Sequence, residues 1–374
     1  MASLALRNLF HDKVRLAVTL TGIVFAIVLI IIQLGLFLGF TDITSMLVQH
    51  SAADLWIAAR GVTNLDSGRP FSESKLYQAL ATPGVASAEK YIVQFAVWKR
   101  PDGSPESCEV VGFNPDSMTG GPWNLIEGSA AALKTVDTVI LDDFYRKKLG
   151  VARVGDTAEI NGHRARVVGF TKGIRAFTTS PHVFTAYKNA LNYTRVGERE
   201  TVYVLVKAMP GVAPAELKRR LAARLSDVDL YTTAEWARKT TNYWMFTTGA
   251  GGVVLMAAVM GLLVGLVVVA QTIYATTMDH LREFGTLKAM GASNGYIYRV
   301  IVKQAVASAL LGYTLALAIS IPVVRLSRQS SALILLPWEL GLLTFGIAVM
   351  MCVAASVVSI NKVTAIDPAM VFKS

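Results

Sequence analysis

"TTNYWMFTTGAGGVVLMAAVMGLLVGLVVVAQTIYATTM", residues 240–278, carries no charged side chain in 39 positions. As one helix at 1.5 Å per residue it would run about 58 Å. The hydrocarbon core of a bilayer is only about 30 Å deep and takes roughly 20 apolar residues. The block therefore reads as a membrane helix that projects beyond the lipid. Three more uncharged blocks lie at residues 16–41, 304–324 and 340–361. Apolar runs this long are rare in soluble cores. The expected fold class is an α-helical membrane protein, with four transmembrane helices and a large extracytoplasmic α+β domain inserted between helices one and two.

The expected order is an interfacial helix at 1–15, a first span at 16–41, the outer domain at 42–240, and a second span with its extensions at 241–278. A cytoplasmic loop follows at 279–299, then a third span at 300–324, a short outer loop at 325–337, a fourth span at 338–361 and a tail at 362–374. The first block is too long for the apolar core of a signal peptide, and "VQHSAADL" after it is a poor cleavage site. Leu4, Leu6, Leu9, Phe10 and Val14 among Arg7, Asp12 and Lys13 suit a helix lying in the membrane interface.

Lys and Arg near the spans set the orientation. Arg7, Lys13, Arg15, Arg282, Lys288, Arg299, Lys303, Lys362 and Lys373 fall on one side, against Arg325 and Arg328 on the other. Both termini are thus expected in the cytoplasm. The net charge of +10 divides unevenly: residues 42–240 hold 25 basic and 21 acidic side chains. The remaining excess flanks the spans, which fits contact with a lipid bilayer rather than with nucleic acid. Cys108 and Cys352 fall in different compartments, so no disulfide framework is expected.

Strand-like runs in the outer region are 53–59, 91–98, 108–113, 138–141, 164–170 and 201–207, with helical stretches near 73–81, 142–149, 182–191 and 213–225. "GDTAEINGHRARVVGF" reads as a hairpin turning at Asn161-Gly162. Thr232-x-x-Glu235 resembles a capping box that starts the second long helix well outside the lipid. Tyr243 and Trp244 suit an interfacial belt. One stiff rod is then expected from about residue 232 to 278, with Gly249, Gly251 and Gly252 as its weak point. Gly35-x-x-x-Gly39 and Gly261-x-x-x-Gly265 have the spacing that lets membrane helices approach closely.

Directly after the long block comes "DHLREFGTLKAMGASNGY", residues 279–296. Met290-Gly291 can end a short helix, and Ser293 or Asn294 can start the next. Leu281, Phe284, Leu287 and Lys288 recur on one side at three- and four-residue spacing. Such a stripe at the cytoplasmic ends of two spans suits a groove on a soluble partner.

Other chemistry is not legible. His11, His50, His163, His182 and His280 lack metal-ligand spacing, so no metal site is expected. Asp142-Asp143 beside "VIL" reads as a helix cap rather than a catalytic pair. No Gly-x-Ser-x-Gly elbow occurs. Lys218, Arg219, Arg220 and Arg224 form a basic helical face that reads as solvated. No Gly-Lys pair and hence no phosphate loop is present, and the spans hold no ionisable relay. A non-catalytic chain without a cofactor of its own is expected.

"DHLREFGTLKAMGAS" is similar to the signature of the MacB/FtsX-like ABC transporter permeases, on Arg282, Glu283, Phe284, Gly285, Leu287, Lys288, Ala289, Gly291 and Ala292. Phe284 stands where Ile is more usual. "LALRNL" and the ending at Asp367, Pro368 and Ala369 also resemble the family, as does the layout of the whole chain. "ADLWIAARGVTNLDSGRPF" and "ILDDFYRKKLGV" resemble the DevC-type exporter permeases in particular. The resemblance implies a homodimeric permease of a tripartite exporter, with ATP bound by a separate cytoplasmic ATPase. It also implies a periplasmic membrane-fusion adaptor and an outer-membrane channel. Leu281, Arg282, Glu283, Phe284, Gly285, Leu287, Lys288 and Gly291 become the expected ATPase-coupling residues. Two other roles known in the family remain as alternatives: an FtsX-like regulator of a cell-wall hydrolase, and a lipoprotein-releasing permease.

Overall fold

The computed structural model describes residues 13–279, 286, 290, 292–330 and 332–364. These fall into two compact units, Phe40–Ala250 and the residues on either side of it.

The flanking unit is helical. Its elements are α1 (Lys13–Gln49, whose last residues belong to the other unit), α7 (Ala250–Asp279), α8 (Asn294–Ser327) and α9 (Trp338–Thr364). Each contains a stretch long and apolar enough to cross a membrane. In lipid every backbone polar group must be satisfied within the segment, which leaves a helix as the only form for these runs. The four pack through small residues, because lipid offers no hydrophobic drive between helices. Ile23, Ala26, Ile27 and Ile31 of α1 meet Val269 of α7, Ala309 and Ala316 of α8, and Ala348, Cys352 and Ala355 of α9. Tyr313 Oη on α8 donates to the Gly341 carbonyl on α9 at 2.6 Å. The Ser293 hydroxyl caps α8 by accepting from Tyr296 N.

The intervening unit is built on a ten-stranded sheet in the order β12-β1-β11-β3-β4-β9-β6-β8-β5, with β7 paired to β3 and β8. Its strands are β1 (Leu55–Ala59), β3 (Val85–Lys99), β4 (Pro105–Phe113), β5 (Leu125–Gly128), β6 (Thr138–Asp142), β7 (Thr157–Ile160), β8 (His163–Thr171), β9 (His182–Ala186), β11 (Tyr203–Ala208) and β12 (Val228–Thr232). Short β2 (Phe71–Ser72) and β10 (Glu200–Thr201) pair apart from it. The helices are α2 (Ser74–Leu80), α3 (Arg146–Leu149), α4 (Tyr187–Tyr193), α5 (Pro214–Ala222) and α6 (Thr233–Asn242). The long strand β3 joins the two halves of the sheet. Its start pairs with β11 and its end with β4, from Ile92↔Gly112 to Lys99↔Pro105. Two pairings, β4 with β9 and β6 with β8, are parallel.

The hairpin turns at Asn161 and Gly162, both with positive φ (47° and 87°), which is the type I′ geometry. Asp142 caps a turn of helix by accepting from Phe144 N at 3.0 Å and holds Ile174 N at 2.7 Å. Arg219 and Arg220 pair with Glu216, Lys218 with Glu235, and Arg224 reaches the Ala81 carbonyl. The basic face is therefore largely tied up.

Three expectations change. Residues 182–191 are not one helix: "HVFTA" is the fully paired strand β9, and helix starts only at Tyr187. The β-branched and aromatic pair Val183-Phe184 is buried between β4 and β6, and burial outweighs local helix propensity. The first apolar helix continues past residue 41 to Gln49. The rod expected from 232 to 278 is broken. Helix α6 passes into a π-helical turn at Tyr243–Thr247, and Gly249 adopts φ +77° before α7 begins. A glycine in the left-handed region interrupts the helical ladder, whatever the hydropathy around it.

The capping box at the start of α6 is complete: Glu235 N donates to Thr232 Oγ1 at 3.2 Å, and Thr232 N to Glu235 Oε2 at 2.8 Å. Thr232→Ala removes one arm and is expected to cost about 1 kcal/mol. A thermal scan of the purified chain in detergent should show a midpoint a few degrees lower, and an unchanged midpoint would show that the cap contributes nothing to stability.

Candidate functional site

Helix α6 begins where the outer domain ends, because β12 feeds directly into it. Strand β1 pairs antiparallel with β12, from Leu55↔Thr232 to Ala59↔Val228, so the chain enters and leaves the domain side by side. Thr233 N donates to the Asp54 carbonyl at 3.0 Å and closes this junction. Above it, Trp56 packs edge-on to Tyr91 and Tyr203, each at 5.5 Å between ring centroids, and near Trp236 of α6 at 6.5 Å. Buried aromatic contacts of this kind anchor α6 to the sheet.

The π-helical turn that follows is also held. Its closing bond runs from Thr248 N to the Tyr243 carbonyl, 3.1 Å and five residues back. The extra residue turns Trp244 toward the domain, and π-bulges of this kind recur at functional sites. Trp244 Nε1 donates to Asp66 Oδ2 at 2.9 Å. The Trp244 ring lies 4.8 Å from Phe177, which in turn meets Phe40 of α1 at 4.5 Å. Beyond Trp244, the Thr248 hydroxyl returns to the Trp244 carbonyl at 2.7 Å, and only then comes Gly249. A Cβ at Gly249 would meet nothing within 4 Å, so its backbone angle alone requires glycine.

Asp66 lies in a short 3-10 turn, Leu65–Ser67, capped by the Asn64 side chain. Behind it sits Glu109 on β4, fully buried. The parallel register sets Glu109 opposite His182 on β9, and His182 Nδ1 stands 3.0 Å from Glu109 Oε2. Burial pushes the Glu109 carboxyl up to about 7. Burial, and then the neighbouring charge of Glu109, lifts Asp66 to about 7 as well. Burial drives His182 down to about 4 against the attraction of Asp66 and Asp142. Two carboxyls and an imidazole thus meet at the foot of the turn, and none was singled out by sequence. They come from three distant segments, and no motif ties them together.

The glycines expected to pack helices do two different things. Gly261 and Gly265 of α7 face α1: a Cβ at Gly261 would stand 3.4 Å from Gln33 and Leu29, and one at Gly265 3.2 Å from Ala26. Gly35 and Gly39 do not face a helix. They receive the extended stretch between α8 and α9, where Leu335 N donates to the Gly35 carbonyl at 3.0 Å. A Cβ at Gly35 would come to 2.6 Å from Ile334, and one at Gly39 would collide with the Leu333 carbonyl. Sequence reasoning missed Gly312 of α8, whose Cα face touches Ile23 of α1. The expected coupling residues Leu281, Arg282, Glu283, Phe284, Gly285, Leu287, Lys288 and Gly291 lie outside the described residues. Beside them, Met290 N donates to the Thr286 carbonyl at 3.0 Å.

These contacts rank substitutions. Gly39→Ala drives a methyl into backbone and is expected to cost about 1–3 kcal/mol, whereas Gly261→Ala meets only ordinary contact distances. Thermal midpoints measured in one detergent should fall for the first and stay near wild type for the second; equal shifts would contradict the assignment.

Comparison with known proteins gives a consistent result. Residues 16–224 match the model of the MacB-like periplasmic core domain, and residues 255–368 that of the FtsX-like permease C-terminal domain. An uncharacterized ABC transporter permease of Mycobacterium tuberculosis is 24% identical over 371 residues, covering 98% of this chain and 98% of its own. An uncharacterized ABC transporter permease of Mycobacterium bovis is also 24% identical, over 371 residues and 98% of both chains. Among solved structures, the periplasmic region of MacB from Actinobacillus actinomycetemcomitans is similar over 51% of this chain and 94% of that one, with 15% identity and a TM-score of 0.38.

Proposed function

Because the chain belongs to the MacB/FtsX-like family of ABC transporter permeases, we propose that it is the permease subunit of an ABC exporter that converts ATP hydrolysis by a separate cytoplasmic ATPase into movement of its outer domain. An ABC permease implies an ATPase partner, and this sequence has no phosphate loop of its own. The finer reading is a homodimer of the DevC type in the inner membrane, both termini cytoplasmic, with ATP held by the partner. It works with a periplasmic adaptor of the membrane-fusion type and an outer-membrane channel.

The observation that supports mechanical coupling is the continuity of α1. It runs without interruption for 37 residues, about 55 Å at 1.5 Å per residue. It holds no proline, and just past its outer end the Ser51 carbonyl accepts from Gly120 N at 2.8 Å. The second crossing, α6 to α7, is interrupted at Gly249 and cannot act as a single strut. Force therefore travels along α1, and the Gly249 joint accommodates it. This replaces the rod expected on the second helix.

Two measurements test the proposal. Phe284→Asp or Leu287→Asp is expected to lower co-purification of the ATPase at least tenfold, about 1.4 kcal/mol in binding, because a charge replaces an apolar anchor. Unchanged retention removes these side chains from the contact. Leu38→Pro breaks α1 in its interior at a cost of about 3 kcal/mol. It is expected to abolish export while leaving the ATPase bound, and normal export by that variant would end the strut reading. Capture of an adaptor by the outer domain supports export, whereas capture of a cell-wall hydrolase or of an acylated protein in its place contradicts it.

A further inference from the structure

The last turns of α1 and the whole of α6 lie side by side and leave a groove between them. The two helices run antiparallel, and a contact at each end fixes their register. Thr44 of α1 meets Thr241 of α6 at 3.3 Å between hydroxyl oxygens. At the opposite end Thr233 Oγ1 donates to the Ala53 carbonyl, just past α1, at 2.5 Å. Between these ties the helices bound a space of about 650 Å³, a volume that suits a small ligand. Thr41, Ser45 and Gln49 line it from α1, at the four-residue spacing that places side chains on one face. Ala234, Ala237 and Arg238 are among the residues that line it from α6. The two alanines keep that wall low.

Most hydrogen bonding inside the groove is internal, and what it leaves over is distinctive. The Thr44 hydroxyl gives its one hydrogen to the Thr41 carbonyl at 2.9 Å, so it accepts in its contact with Thr241. Thr241 has then spent its hydrogen and offers lone pairs. Ser45 Oγ donates to the Thr41 carbonyl and accepts from Gln49 Nε2 at 2.7 Å, which leaves it one lone pair. Arg238 is different: it is exposed, and among the described residues no carboxylate or carbonyl is its partner. The side-chain amide of Asn242, at the same end of α6, is also unengaged. Among the described residues no carboxylate lines the groove. Glu235 is taken by Lys218 at 2.7 Å and by Thr232 N at 2.8 Å. Lys239 is turned to the Tyr231 hydroxyl.

The position of the groove along α1 decides what can reach it. Residues 16–41 carry no charge and run about 39 Å at 1.5 Å per residue. That exceeds the roughly 30 Å of hydrocarbon and nearly fills the 40–45 Å that includes the headgroups. Thr41 therefore stands at headgroup depth. On the other helix Tyr243 and Phe246 come next along the chain after Arg238, and Phe246 is 70% exposed. Aromatic side chains mark the same boundary, and an arginine just beyond it reaches phosphate groups with its long stem.

We propose that this groove binds the head of an anionic phospholipid of the phosphoglycerol class, from the leaflet beside the inserted domain. The Arg238 guanidinium and the Asn242 amide donate to the phosphodiester oxygens, and the guanidinium fork matches two of them at once. The glycerol hydroxyls donate to the lone pairs left on Ser45 and Thr241. Ala234 and Ala237 cover the glycerol carbons. A phosphoethanolamine head is disfavoured, because its ammonium would adjoin Arg238 with no carboxylate to receive it. Bound there, the lipid ties α1 to α6 through groups that do not otherwise meet. The site is independent of what the permease exports.

The test uses the full-length chain, purified in detergent, stripped of lipid and mixed with equal amounts of dioleoyl phosphatidylglycerol and dioleoyl phosphatidylethanolamine. Native mass spectrometry reads which lipid stays on. The wild-type chain is expected to retain phosphatidylglycerol about tenfold over phosphatidylethanolamine, or about 1.4 kcal/mol. Arg238→Gln should lose that preference; the side chain is exposed and unpaired, so its replacement leaves the fold intact. Arg238→Lys keeps the charge without the fork and should fall between the two. Ala234→Phe, at another exposed position, fills the groove with Arg238 still present and should also lose the lipid. Equal retention of both lipids by the wild-type chain overturns the proposal. So does wild-type retention in Arg238→Gln and Ala234→Phe, which would place the lipid elsewhere. Displacement of the lipid by inorganic phosphate would reveal a simple anion site and count against a lipid one. A change of oligomeric mass in Arg238→Gln with lipid retention unaltered would assign the groove to a second copy of the chain instead.

Discussion

The pairing of β1 with β12 is the constraint on which the architecture depends. About 200 residues are inserted between two membrane helices, and such an insertion is compatible with a bundle only if its two ends come back together. Five consecutive residue pairs, Leu55↔Thr232 through Ala59↔Val228, bring them together. The Thr233–Asp54 bond and the Trp56–Trp236 contact then lock the exit helix to the entry strand. Everything farther out, from β3 spanning the sheet to the parallel pairs β4–β9 and β6–β8, is built on a base whose width is a single strand pair.

The two chain crossings leave this base with different mechanics. Helix α1 continues without interruption, whereas the other crossing runs through α6, a π-helical turn and a glycine at φ +77°. Trp244, bound to Asp66 and packed at a tilt against Phe177, marks the last side-chain hold of the domain before Gly249.

The helical part depends on another constraint. Lipid removes the hydrophobic drive between helices, so close approach must come from shape. Ala26, Ala309, Ala316, Ala348 and Ala355 supply it around the buried isoleucines of α1. Gly35 and Gly39 use the same principle for a different purpose, receiving extended backbone where a side chain would exclude it. Glycine spacing indicates that something comes close, not what it is.

Sequence by itself determined the four apolar helices, the inserted α+β domain, the Thr232–Glu235 capping box, the I′ hairpin at Asn161-Gly162 and the family signature at 282–292. Each of these is written in neighbouring residues, as periodicity, uninterrupted apolar length or turn chemistry. Tertiary structure alone decided that "HVFTA" is a strand, that Gly35 and Gly39 face an extended segment, and that the second long helix breaks at Gly249. It alone brought Asp66, Glu109, His182 and Trp244 to one place. Those outcomes depend on which distant segments become neighbours. The energy of a buried carboxyl or a left-handed glycine is set by what surrounds it, and only the folded chain supplies those surroundings.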